Sequence, residues 1–132
     1  MSTQAGVCVL VVDDDPLMRR RLGRVLGQAG FEVWLAESAE AALVCLAQRD
    51  FDLLLTDLQL PGLDGQELTR VACQRQPLLR VAWLSGAPLA HPERMLLAKP
   101  FSHEALRVFV AAALRQEPAL TGALRPAAAA AR

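Results

Sequence analysis

Cysteine, net charge and long apolar runs are all scarce in this sequence. Its three cysteines, Cys8, Cys45 and Cys73, are odd in number and far apart. That excludes a disulfide framework or a thiolate metal cluster, and it reads as buried thiols in a reducing cytosol. Fourteen basic and fourteen acidic residues cancel, which removes the electrostatic reason to expect nucleic acid or an anionic membrane as the main partner. The N-terminus lacks a charged region followed by a long apolar one, so no signal peptide is expected. No apolar run reaches membrane-spanning length, and no segment repeats. What remains is a chain of 132 residues, 53% of them apolar. It is long enough for one domain with a real core and too apolar for disorder.

The chain is organised around Phe51-Asp52-Leu53-Leu54-Leu55-Thr56-Asp57-Leu58-Gln59-Leu60-Pro61-Gly62-Leu63-Asp64-Gly65. Leu53 to Leu55 is an apolar run too short for an independent helix, as suits a strand buried on both faces. It delivers Asp57 to its C-terminal end, where Pro61-Gly62 and Asp64-Gly65 are turn chemistry. Ligands of open α/β sheets bind at that edge.

The rest of the chain alternates in the same way. Val7 to Val12 predicts a strand ending on Asp13-Asp14-Asp15. Asp15-Pro16 then starts a helix to about Gln28, with Met18, Leu22, Val25, Leu26 and Ala29 inside. Arg19, Arg20, Arg21 and Arg24 fall outside and read as a solvated face, and Gly30 stops the helix. Phe31 to Ala36 predicts a second strand. Ser38 caps a second helix that buries Ala39, Ala42, Leu43, Leu46 and Ala47. Asp64 and Glu67 form a capping box for a third helix, which buries Leu68, Val71 and Ala72 and runs to about Arg75. Val81 to Leu84 predicts a fourth strand before Ser85-Gly86, and Met95 to Ala98 a fifth before Lys99-Pro100-Phe101. Ser102 caps the last helix, with Leu106, Phe109, Val110, Ala113 and Leu114 inside. Its outer face, with Val108, Ala111 and Ala112, is a weak candidate partner surface. His91 and His103 read as surface residues. Residues 118–132 form an Ala- and Pro-rich tail. This order predicts a parallel sheet covered on both faces.

Asp13, Asp14, Asp57, Ser85 and Lys99 thus share the C-terminal edge of the sheet. Three converging carboxylates repel one another unless a cation sits among them. Carboxylates, a loop carbonyl and waters are the oxygen ligands Mg²⁺ accepts. An ammonium and a hydroxyl beside them suit a phosphoryl group held on Asp57, where positioning and charge neutralisation carry the catalysis. Singly, each of these residues reads as a helix cap or a turn former.

The motifs Val9-Leu10-Val11-Val12-Asp13-Asp14-Asp15, Asp52 to Asp57 with Leu60 to Gly65, Leu84-Ser85-Gly86 and Lys99-Pro100-Phe101 together resemble the receiver domain of two-component response regulators, over residues 7 to 116. The resemblance implies a flavodoxin-like, doubly wound five-stranded parallel sheet of order 2-1-3-4-5, with residues 1–117 as the receiver. It implies that Asp57 takes phosphate from a histidine of a sensor kinase, with Mg²⁺ held by Asp14, by Asp13 largely through water, by Asp57 and by the backbone carbonyl of Gln59. Ser85 and Lys99 would bind phosphoryl oxygens. The Lys99-Pro100 bond would be cis. Met18, Pro100 and Phe101 would present apolar surface to the kinase or phosphotransfer domain.

The sequence departs from the family at two points. Leu96 stands where relatives carry an aromatic switch residue, and the chain has no tyrosine. The segment from Ser85 to Lys99 is short and holds Pro88 and Pro92, so the family's fourth helix is expected shortened or absent. Output would then pass through other surfaces, or the domain would mainly accept and pass on phosphate. The side chain of Gln59 reads equally as a water-orienting group or a solvated loop residue. With no room for a DNA-binding output domain, the expected function is a stand-alone cytoplasmic response regulator, a switch or phosphorelay carrier and not an enzyme on other substrates. The competing reading is a Mg²⁺-dependent phosphohydrolase with an aspartyl-phosphate intermediate. Such enzymes pair the nucleophile with an acid two residues on, where this chain has Gln59.

Overall fold

The computed structural model describes residues 6–60, 65–86 and 95–118. The strands are β1 (Cys8–Val12), β2 (Glu32–Ala36), β3 (Leu53–Asp57), β4 (Arg80–Ser85) and β5 (Leu96–Ala98). The helices are α1 (Pro16–Gln28), α2 (Ala39–Gln48), α3 (Gly65–Arg75) and α4 (His103–Arg115). All neighbouring strands run parallel, in the order β2-β1-β3-β4-β5. The predicted doubly wound sheet is therefore the observed one. No helix lies between β4 and β5 among the described residues, and most of that connection, with His91, falls outside them. So do Asp64, the predicted cap of α3, and residues 119–132.

Strand parity divides the core. Val9, Val11, Leu53, Leu55, Ala82 and Leu84 face α1 and α4, where Leu22, Leu26, Leu106 and Val110 meet them. Leu10, Val12, Leu54, Val81 and Trp83 face α2 and α3, against Ala42, Leu46, Leu68 and Ala72. Every residue of β1 and β3 is buried, as continuous apolar runs in a covered sheet require.

Helices α1, α2 and α4 begin on the expected caps, and α1 ends on the expected glycine. Asp15 accepts the N–H of Leu17 at 3.0 Å, Ser38 that of Ala41 at 3.0 Å and Ser102 that of Ala105 at 2.9 Å. Gly30 has φ +102°, and its N–H reaches Gly27 O while Phe31 N–H reaches Leu26 O. These two bonds are the Schellman closure that a left-handed glycine permits.

Several burial expectations are corrected. Ala47 is exposed although its neighbour Leu46 in the same turn is buried, so the inner stripe of α2 ends at Leu46. Val71, Phe109 and Leu114 are half-buried, and so is Cys45, while Cys8 and Cys73 are buried. Arg19 and Arg21 are also half-buried and bonded, not part of a solvated face.

Two polar contacts hold the layers together. The buried Gln76 donates to Leu46 O at 3.0 Å and Arg49 O at 2.8 Å, and accepts from Phe51 N at 2.8 Å. It joins the end of α2 to the start of β3. At the same end of the sheet, Arg80 donates to Gln116 O at 2.7 Å and Gln116 donates to Val81 O at 2.8 Å. That pair fastens the chain after α4 to the start of β4.

Candidate functional site

β1 ends at Val12, so Asp13 and Asp14 leave the sheet edge together. Asp13 has no exposed surface, while Asp14 is exposed. β3 carries Asp57 as its last residue, 7% exposed. One carboxylate oxygen from each of Asp13, Asp14 and Asp57 lies within 4.8 Å of the others. Lys99 follows β5 and reaches across, its Nζ 3.0 Å from Asp13 Oδ2 and 3.0 Å from Asp57 Oδ2. Ser85 ends β4, fully buried, and its carbonyl accepts the N–H of Lys99 at 2.7 Å. The Lys99-Pro100 bond is cis.

Burial raises the pKa of Asp13, opposed by the Asp15 N–H and by Lys99. For Lys99 burial acts to lower the pKa, but hydrogen bonds from Nζ to Asp57 and Asp13, with their charges, leave it raised. The lysine is therefore a fixed ammonium. It offsets one of three negative charges.

The backbone supplies the remaining geometry. Gln59 N–H donates to Asp57 Oδ1 at 2.9 Å, and the Gln59 side chain is exposed. Asp15 N–H donates to Asp13 Oδ1 at 2.9 Å. The five predicted side chains thus lie at adjoining strand ends.

Sequence reasoning missed three supports of this edge. Arg19 Nη1 donates to Asp13 O at 2.8 Å. Arg21 Nη2 donates to Phe101 O at 2.7 Å, and its guanidinium lies 5.3 Å from the centre of that ring. Helical periodicity placed both outside, but long stems carry the guanidinium back over the neighbouring loops. The third is Gly65, where an added Cβ would stand 2.6 Å from Asp57 O. Its place beside turn residues was the only available signal. Of the expected docking residues, Pro100 is exposed, Met18 is half-buried and Phe101 is buried.

A five-stranded doubly wound sheet with acids at the ends of β1 and β3 and a lysine after β5 defines a class, and the comparisons agree with it. Residues 9–111 match the model of the response regulator receiver domain. The chain belongs to that family, the receivers of two-component systems. It is 38% identical over 120 residues to the transcriptional regulatory protein FixJ of Bradyrhizobium diazoefficiens, a match covering 84% of this chain and 58% of FixJ. It is 35% identical over 101 residues to the response regulator receiver protein CpdR of Brucella abortus, covering 70% of this chain and 84% of CpdR. The chain thus spans little more than half of FixJ, and under a third of two further regulators from Pseudomonas aeruginosa. The chemotaxis protein CheY4 of Vibrio cholerae superposes with a TM-score of 0.77 at 24% identity, over 83% of this chain and 99% of that one. The last likeness concerns the fold alone.

Proposed function

We propose that Asp57 accepts a phosphoryl group from a phosphohistidine of a sensor kinase or phosphotransfer domain. The observation that carries this reading is the ammonium of Lys99, 3.0 Å from both Asp57 and Asp13. An Asp57 oxygen attacks phosphorus, the P–N bond breaks, and the imidazole leaves and takes up a proton. Lys99 and the Ser85 hydroxyl then bind phosphoryl oxygens. Gln59 N–H, which donates to Asp57 Oδ1, fixes the orientation of the carboxylate.

The donor set fits Mg²⁺. It is all oxygen, and one ammonium leaves two of its three charges unmatched. The exposed Asp14 faces water that a hard octahedral ion retains. Asp13, Asp14, Asp57 and the carbonyl of Gln59 would hold the ion, which neutralises charge on the transferred group. The phosphorylated and free forms are two populations of one domain, and the phosphoryl group favours one of them. Residues 1–117 form the receiver in this reading, followed by a tail from 118, and the domain works in the cytoplasm.

The test is incubation with acetyl phosphate and Mg²⁺, followed by intact-mass measurement. The native chain gains the mass of one phosphoryl group and Asp57→Asn gains none. Equal labelling of both chains, or labelling that persists without a divalent cation, would overturn the assignment.

A further inference from the structure

We propose that the groove between α1 and the open edge of β2 binds an extended acidic peptide segment of a partner protein, which adds to the sheet as a further strand. The groove has a volume of about 500 Å³ and is lined by Pro16, Arg19, Arg20, Gly23, Arg24, Val33 and Leu35. None of these residues is acidic, although the chain as a whole is neutral.

The arginines are poorly placed for stability alone. They crowd the first half of α1, where the helix dipole disfavours cations, and no acid lies in its first turn. Arg20 and Arg24 are spaced i,i+4, so their charges repel. Arg19 and Arg21 are engaged with Asp13 and Phe101. Among the described residues Arg20 and Arg24 have no acidic partner. The groove therefore presents two uncommitted cations on one side.

The other side is a sheet edge. β2 is an outermost strand. Glu32 N–H bonds to Val7 O and Ala36 O accepts from Asp13 N–H. In a parallel ladder alternate residues bond to opposite sides, so Val33 and Leu35 turn their N–H and C=O outward. Their side chains line the groove, and Leu35 is 44% exposed. Gly23 lets Leu35 lie against the helix, because a Cβ there would stand 3.2 Å from Leu35 Cδ1.

An extended chain at this edge gains backbone hydrogen bonds from β2, and its alternate side chains face α1. Carboxylates at those positions meet Arg20 and Arg24, and an apolar one meets Leu35. The same charges reject a second copy, since pairing β2 to β2 would bring two arginine sets together. The surface lies on the side of α1 away from Arg21 and Phe101, so its occupation does not require Asp57 chemistry.

The experiment titrates the isotope-labelled full chain with a blocked peptide alternating glutamate and valine. The controls are its lysine-for-glutamate counterpart and inorganic triphosphate. The glutamate peptide should shift Val33 and Leu35 and slow exchange of their amide protons, equally in Asp57→Asn. Arg20→Glu with Arg24→Glu should weaken binding by roughly tenfold, and Arg20→Gln with Arg24→Gln tests the same point should the reversal not fold. Added salt should weaken it too. Equal binding of the lysine peptide, or unslowed exchange at Val33 and Leu35, would refute the proposal. So would full displacement by triphosphate, or a dimer through this edge in sedimentation.

Discussion

Replacing Gly65 by alanine adds one methyl group where α3 meets the end of β3. The new Cβ would lie 2.6 Å from Asp57 O, 3.1 Å from Leu58 O and 3.1 Å from Trp83 Cζ3. Two of these atoms are backbone and the third belongs to a buried ring, so no flexible side chain can yield. Ordinary contact begins at 3.4 Å, and the helix and strand must part by about 0.8 Å in a core packed like a crystal. Overpacking of this kind costs about 1–3 kcal/mol. Gly27 is the matched control. It lies within α1, and a Cβ there meets nothing within 4 Å. Gly27→Ala should stabilise by about 0.5–1 kcal/mol through helix propensity. Urea unfolding should therefore separate the two variants by roughly 1.5–4 kcal/mol. Displacing Asp57 relative to Lys99 should also slow acetyl phosphate loading by about 10- to 100-fold, with Gly27→Ala unchanged. A Gly65→Ala chain that matches the parent in urea midpoint and loading rate would show that the contact at Asp57 O imposes nothing.

The other predictions concern buried polar and titratable groups. Gln76→Ala leaves Phe51 N–H and the carbonyls of Leu46 and Arg49 without their partner, so the urea midpoint should fall by the equivalent of about 3 kcal/mol. For Asp13 the folded pKa lies above the unfolded one, so the folded state binds its proton more tightly. Its contribution is complete below the unfolded pKa and is lost as pH rises through the raised value. Asp13→Asn should flatten that part of the stability–pH curve in metal-free buffer, and an unaltered slope would contradict the assignment. Burial pushes the Cys73 thiol up to about 11. Native protein at pH 8 should therefore leave Cys73 unalkylated by iodoacetamide, as peptide mapping would read, while urea-unfolded chain reacts.

Much of this fold is legible in the sequence because apolar runs alternate with capped periodic segments. Asp15, Ser38 and Ser102 mark helix starts within a residue, and the left-handed Gly30 marks an end. The acids and the lysine were found because each terminates a run. Interactions across sequence distance were hidden. Gln76 reads as a polar residue before Pro77, yet its amide spans three segments. The arginines of α1 sort by position on a helical wheel, but their guanidiniums settle where carbonyls lie. The tight approach at Gly65 depends on how closely α3 packs on β3, which a turn-like sequence does not encode. Ala47 failed for the opposite reason. Alanine is small enough to suit either side of a helix, so periodicity alone did not place it.

The reciprocal bonds between Arg80 and Gln116 have a practical corollary. They anchor the outgoing chain at the pole where β4 enters the sheet, the pole opposite the acids. An affinity tag, fluorophore or fused module joined directly after Pro118 therefore starts from the back of the molecule, at the pole away from Asp57.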